Sequence, residues 1–122
     1  MNLLSHLRTQ ARANRLANHR LHRAMAALSD ADYRAPRTSF FPSLAATLEH
    51  ILLVDHYYLD CLHGMAGARA RALAWPPPAT LAALADEQAR SDGRFIALLD
   101  GIDGGGLARI VELPRADHLQ RE

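Results

Sequence analysis

The sequence predicts an all-α fold, an antiparallel bundle with three main helices and a short strand near the C-terminal end. Three observations carry this. Apolar residues recur at spacings of three, four and seven in three separate stretches, the 3.6-residue period of a helix with one buried face. Each stretch is bounded by a capping residue, a glycine or a proline. Alanine, the strongest helix former, occurs 23 times in 122 residues.

The first helix is expected over residues 3–28, with Leu3, Leu7, Asn14, Leu21, Met25 and Leu28 on one side. Residues 29–42 form a connection, long for a bundle. Within it Ser29-Asp30-Ala31-Asp32 can cap one helical turn and Pro36 marks a break. Ser43 is the N-cap of a second helix whose stripe is Leu44, Leu48, Ile51, Leu52, Leu59 and Leu62, and Gly64 ends it. A short helical piece from Ala66 to Trp75 stops at Pro76-Pro77-Pro78. The third main helix runs from a Thr80 cap to Leu99, with Leu81, Leu84, Gln88, Phe95, Leu98 and Leu99 on one side. Asp100 to Gly106 reads as a turn, and Leu107 to Leu113 as one strand without a partner. Pro114 to Glu122 is polar and carries no assignment. Three long helices leave an apolar stripe uncovered, where a bundle commonly adds a fourth helix.

The length suits one domain. A formal charge of +1 argues against a nucleic-acid binder. All 14 basic residues are arginine. Arg8, Arg12, Arg15, Arg20 and Arg23 fall in an opening stretch without acids, open to three readings: a solvated helix face, a docking patch or a presequence. No apolar run is long enough to span a membrane, and no signal-like apolar segment opens the chain. The single cysteine, Cys61, excludes an internal disulfide and fits a reducing, cytoplasmic compartment; its helical neighbours read it as a buried apolar residue.

The seven histidines are His6, His19, His22, His50, His56, His63 and His118. No two lie four apart. His19 and His22 share a helix face, an acceptable geometry for two metal ligands, though alternating with arginines. His56 and His63 are expected to be exposed or at a helix end. His50, flanked by the apolar stripe, is expected to be at least partly buried and so to need partners. It is open to a structural role, a ligand role or an acid–base role. Ser39 and Ser43 have no base at a useful spacing, and Gly104 to Gly106 lack the context of a phosphate loop.

Asn14-Arg15-Leu16-Ala17-Asn18-His19-Arg20-Leu21 is similar to N-x-W-A-N-x-x-L, with Leu16 where tryptophan is common. Phe41-Pro42-Ser43-Leu44-Ala45-Ala46-Thr47-Leu48-Glu49-His50-Ile51-Leu52-Leu53-Val54-Asp55 is similar to f-x-S-i-x-x-T-l-x-H-i-l-x-v-D/E. Over residues 10–65 the chain thus resembles the DinB/YfiT family of four-helix bundles. The resemblance implies a divalent metal, nickel or zinc, held by three histidines, the first at His50. The other two would form an H-x-x-x-H pair on a fourth helix that these 122 residues do not contain, so the site is expected to be incomplete, with His19 and His22 as the available substitutes. It further implies descent from a thiol-linked transferase acting on a small molecule, and a homodimer. The alternative is a non-enzymatic helical domain that works by dimerising or by binding a partner.

Overall fold

The computed structural model describes residues 2–122. It is a helical domain with a terminal β-hairpin: α1 Leu3–Met25, α2 Asp30–Arg34, α3 Leu44–Leu62, α4 Ala68–Ala74, α5 Leu81–Gly101, a 3-10 turn at Gly106–Ala108, then β1 Glu112–Pro114 and β2 Leu119–Arg121.

Local chemistry sets most boundaries. The side chains of Asn2, Ser43 and Thr80 accept hydrogen bonds from the backbone N–H of Ser5, Ala46 and Ala83, at 2.9, 2.9 and 3.1 Å. Each satisfies a donor that the first helical turn leaves free. α1 ends at Met25, three residues before the expected limit, because Ser29 turns extended and caps α2 through the Asp32 N–H. α3 closes on Gly64, whose φ of +68° is left-handed. The Gly64 N–H donates to the Cys61 carbonyl and the Met65 N–H to the Asp60 carbonyl, the paired 5→2 and 6→1 bonds of a Schellman ending. α5 continues two residues past Leu99. Arg8 explains this: its guanidinium donates to the carbonyls of Leu99 (2.9 Å) and Ile102 (2.9 Å) at the electronegative end of α5.

The expected unpartnered strand is corrected. Leu107 and Ala108 belong to the 3-10 turn, and the strand is confined to Glu112–Pro114. It pairs antiparallel with Leu119–Arg121, in the tail that carried no assignment, with Leu113 opposite Gln120. Pairing is a backbone property, and the polar side chains of β2 lie on an exposed or half-exposed ribbon, so no apolar alternation announces it.

α5 packs against both α1 and α3, which meet each other little. The main core joins Met25, Tyr33, Ala45, Leu48, Leu52 and Leu84. A smaller one sets Leu113 of the hairpin against Cys61 and Ala68. Among the described residues no helix is long and apolar enough to cross a membrane.

Candidate functional site

His50 is exposed, which corrects the expectation of partial burial. α3 directs Leu48 and Leu52 inward, with Ile51 at the exposed edge of that face and His50 on the opposite side. The imidazole lies against Phe41, ring centroids 4.5 Å apart and planes 31° apart. That contact takes the place of the hydrogen-bond partners a buried histidine requires.

His19 and His22 lie on α1 and line a groove of about 770 Å³ between α1 and α5. Ala26, Ala82, Ala85 and Ala89 supply much of its surface; alanine keeps the two helix backbones within reach of a third body. Burial pushes the His22 imidazole below the usual histidine range, with Asp92 opposing that shift and His19 adding to it. Among the described residues no three His, Cys, Asp or Glu side chains gather as a group that can hold a metal ion. His50, His19 and His22 are therefore not brought together, and they do not fit the three-ligand centre that the resemblance implies.

Sequence reasoning missed a buried polar chain behind the groove. Asp92 is 1% exposed. Its carboxylate accepts from Asn14 Nδ2 (3.2 Å), Asn18 Nδ2 (3.0 Å) and Gln88 Nε2 (2.9 Å). Gln88 Nε2 also donates to Asp55 of α3 at 2.8 Å. One network thus ties the three long helices. Burial raises the Asp55 carboxyl above the usual range; the Gln88 bond opposes this and Asp92 adds to it. The available signal was polar residues at apolar-face positions: Asn14 and Asn18 one turn apart on α1, and Gln88 and Asp92 one turn apart on α5.

His56 is also corrected. It is half-buried in the middle of α3, with Nε2 2.8 Å from Glu87 Oε1 of α5. Trp75 Nε1 donates to the same oxygen at 3.1 Å, and the Trp75 ring meets His56 edge-on. This triad fastens the segment after α4 to α3 and α5. Cys61 is buried as expected, and its thiol is held above the usual range by that burial, the opposite of a nucleophilic cysteine.

The family model described as the DinB superfamily matches residues 13–121. The chain belongs to the DinB superfamily. No curated protein and no solved structure gives a significant match. In this DinB chain the N-x-x-A-N motif acquires a physical meaning: Asn14 and Asn18 are the two α1 residues that hold Asp92. The histidine of the second DinB-like segment, His50, is presented at the surface.

Proposed function

We propose that this DinB-superfamily chain is a small-molecule-binding helical domain whose ligand lies along the α1/α5 groove. The observation that carries the reading is the groove itself. Its volume of about 770 Å³ falls within the roughly 300–1,000 Å³ of ligand sites, and an apolar lining with a few polar groups is their usual make-up. Amides of Asn14, Asn18 and Gln88 bonded to the buried Asp92 carboxylate hold α1 and α5 together beside it. A thiol-linked transfer, the finer activity implied by the resemblance, would use the same groove, with His22, which lines it, as the proton acceptor.

Replacing Ala89 by Trp tests this, since Ala89 is exposed on the groove wall. An uncharged apolar fluorescent dye such as Nile red is expected to bind the native chain at one saturable site. Ala89→Trp should weaken that binding at least tenfold and leave the circular-dichroism melt unchanged. Equal binding by both proteins overturns the assignment.

The metal expectation is tested separately. Without convergent ligands, the purified protein is expected to carry much less than one zinc or nickel per chain, and His50→Ala should not change this. A stoichiometric ion that disappears with His50→Ala would restore His50 as a ligand.

A further inference from the structure

We propose that the joint between the three long helices is operated by a proton: Asp55 of α3 and Asp92 of α5 share one amide donor without a cation, and Asp55 takes up a proton on mild acidification, which tightens the joint. Gln88 Nε2 donates to Asp55 Oδ2 at 2.8 Å and to Asp92 Oδ1 at 2.9 Å. The two N–H bonds of a primary amide diverge, so the two acceptor oxygens stand about 5 Å apart. Gln88 is 2% exposed, Asp92 1% and Asp55 is half-buried, so little water screens one charge from the other. Two carboxylates this close ionise together only at a cost, and one of them gains affinity for a proton.

The surroundings bring no compensating ion pair. Among the described residues neither Asp55 nor Asp92 enters a salt bridge. Asp92 faces Asn14 and Asn18 of α1 and, at longer range, His22 of the same helix, whose imidazole burial holds below the usual range. Asp55 adjoins His56 on α3, but that ring is turned to Glu87 of α5. The number of donors decides which carboxyl protonates. Asp92 accepts from three amides, Asp55 from Gln88 alone. Hydrogen bonds to the charged form keep a carboxylate ionised, so Asp92 retains its charge and the proton goes to Asp55. Burial raises the Asp55 carboxyl above the usual range, against the Gln88 bond; Asp92 adds to the rise and His56 opposes it.

A carboxyl raised in this way stabilises the fold on the acid side, and the contribution is lost as the pH climbs through its titration. The joint therefore strengthens as the pH falls from neutrality toward the ordinary carboxylate range. His22 acts in the opposite sense, since its lowered basicity costs stability as the pH falls through the ordinary histidine range. Comparison with Asp55→Asn separates the two. That variant keeps His22 and an oxygen for Gln88, and its side chain does not titrate.

The test is urea unfolding of the native chain and Asp55→Asn between neutral pH and about pH 4, with carbon-13 NMR titration of the carboxyl groups. Acidification over that span should raise the native folding constant relative to that of Asp55→Asn by roughly threefold or more. The Asp55 carboxyl should titrate above the ordinary range in the native chain and move back toward it in Asp92→Asn, where the facing charge is gone. A ratio of folding constants that does not change with pH, or an Asp55 carboxyl that titrates in the ordinary range, overturns the joint. An Asp55 titration equally high in the native chain and in Asp92→Asn overturns the pairing and leaves burial alone as its cause. Should Asp92→Asn fail to fold, the native titration and the Asp55→Asn series still decide whether Asp55 carries the proton.

Discussion

Asp92→Ala is expected to lower the unfolding free energy by about 2–4 kcal/mol, the cost of taking a charged acceptor from the amides around it and leaving a void. Asp92 is 1% exposed and accepts from Asn14, Asn18 and Gln88. Truncation takes the acceptor from three amides; exposed Asn14 can turn to water, whereas a buried donor such as that of Gln88 left unmade costs on the order of 1–3 kcal/mol. It also opens a void between α1 and α5. Urea unfolding at pH 7 is the measurement, with a midpoint lower by about 2 M at an unchanged slope. Asp92→Asn keeps one acceptor oxygen and should lose about half as much. A loss below about 1 kcal/mol for the alanine variant would mean that α1 is held by its apolar contacts alone.

Leu52→Ala is the second large effect, expected at about 3 kcal/mol within the 2–5 kcal/mol range for buried leucine truncation. Leu52 is fully buried on α3 and belongs to the cluster of Met25, Tyr33, Leu48 and Leu84. Little else can move in to fill the space, since the cluster is assembled from four separate helices. Its neighbour Ile51 is 41% exposed, and Ile51→Ala should cost well under about 1 kcal/mol. In thermal melts the first variant should lose roughly 10 °C and the second hardly shift. Similar losses in both would show that the exposed face of α3 is covered in solution.

That contrast marks where the sequence stops being legible. Ile51 and Leu52 sit side by side in the same apolar stripe, and periodicity alone gives no reason to separate them. The stripe is wider than the surface that α5 and α2 cover, so only the packing decides which edge stays outside. His50 is not on that edge: two residues from both Leu48 and Leu52, it lies on the opposite side of α3 at roughly 100° per residue, and for that reason its predicted burial failed.

Signals confined to a few residues were readable: the caps at Ser43 and Thr80, the Gly64 ending, and the breaks at Pro36 and Pro76 each act within one helical turn. The Asp92 network was not, because its members come from α1, α3 and α5 and meet only once those helices have paired. The groove was hidden for a related reason. Its lining alanines read as helix formers on their own segments, and line one groove only when α1 and α5 lie together. β2 was illegible because a hairpin strand can be specified by backbone pairing without an apolar face of its own.

The Arg8 bonds to the end of α5 have a consequence for the order in which the chain assembles. They join residues separated by 91 and 94 positions, so α1 must wait for the α2–α4 region and α5 to be made before it finds its partner. Loop closure over that span adds only logarithmically to the entropic cost, but it places the α1–α5 docking among the slow, non-local steps of folding. During the wait α1 is 23 residues long with five arginines, past the length below which an isolated helix is marginal in water. Its five arginines and absence of acids give unpaired copies of α1 a like charge, which opposes their association until α5 arrives to claim the face that Asn14 and Asn18 mark.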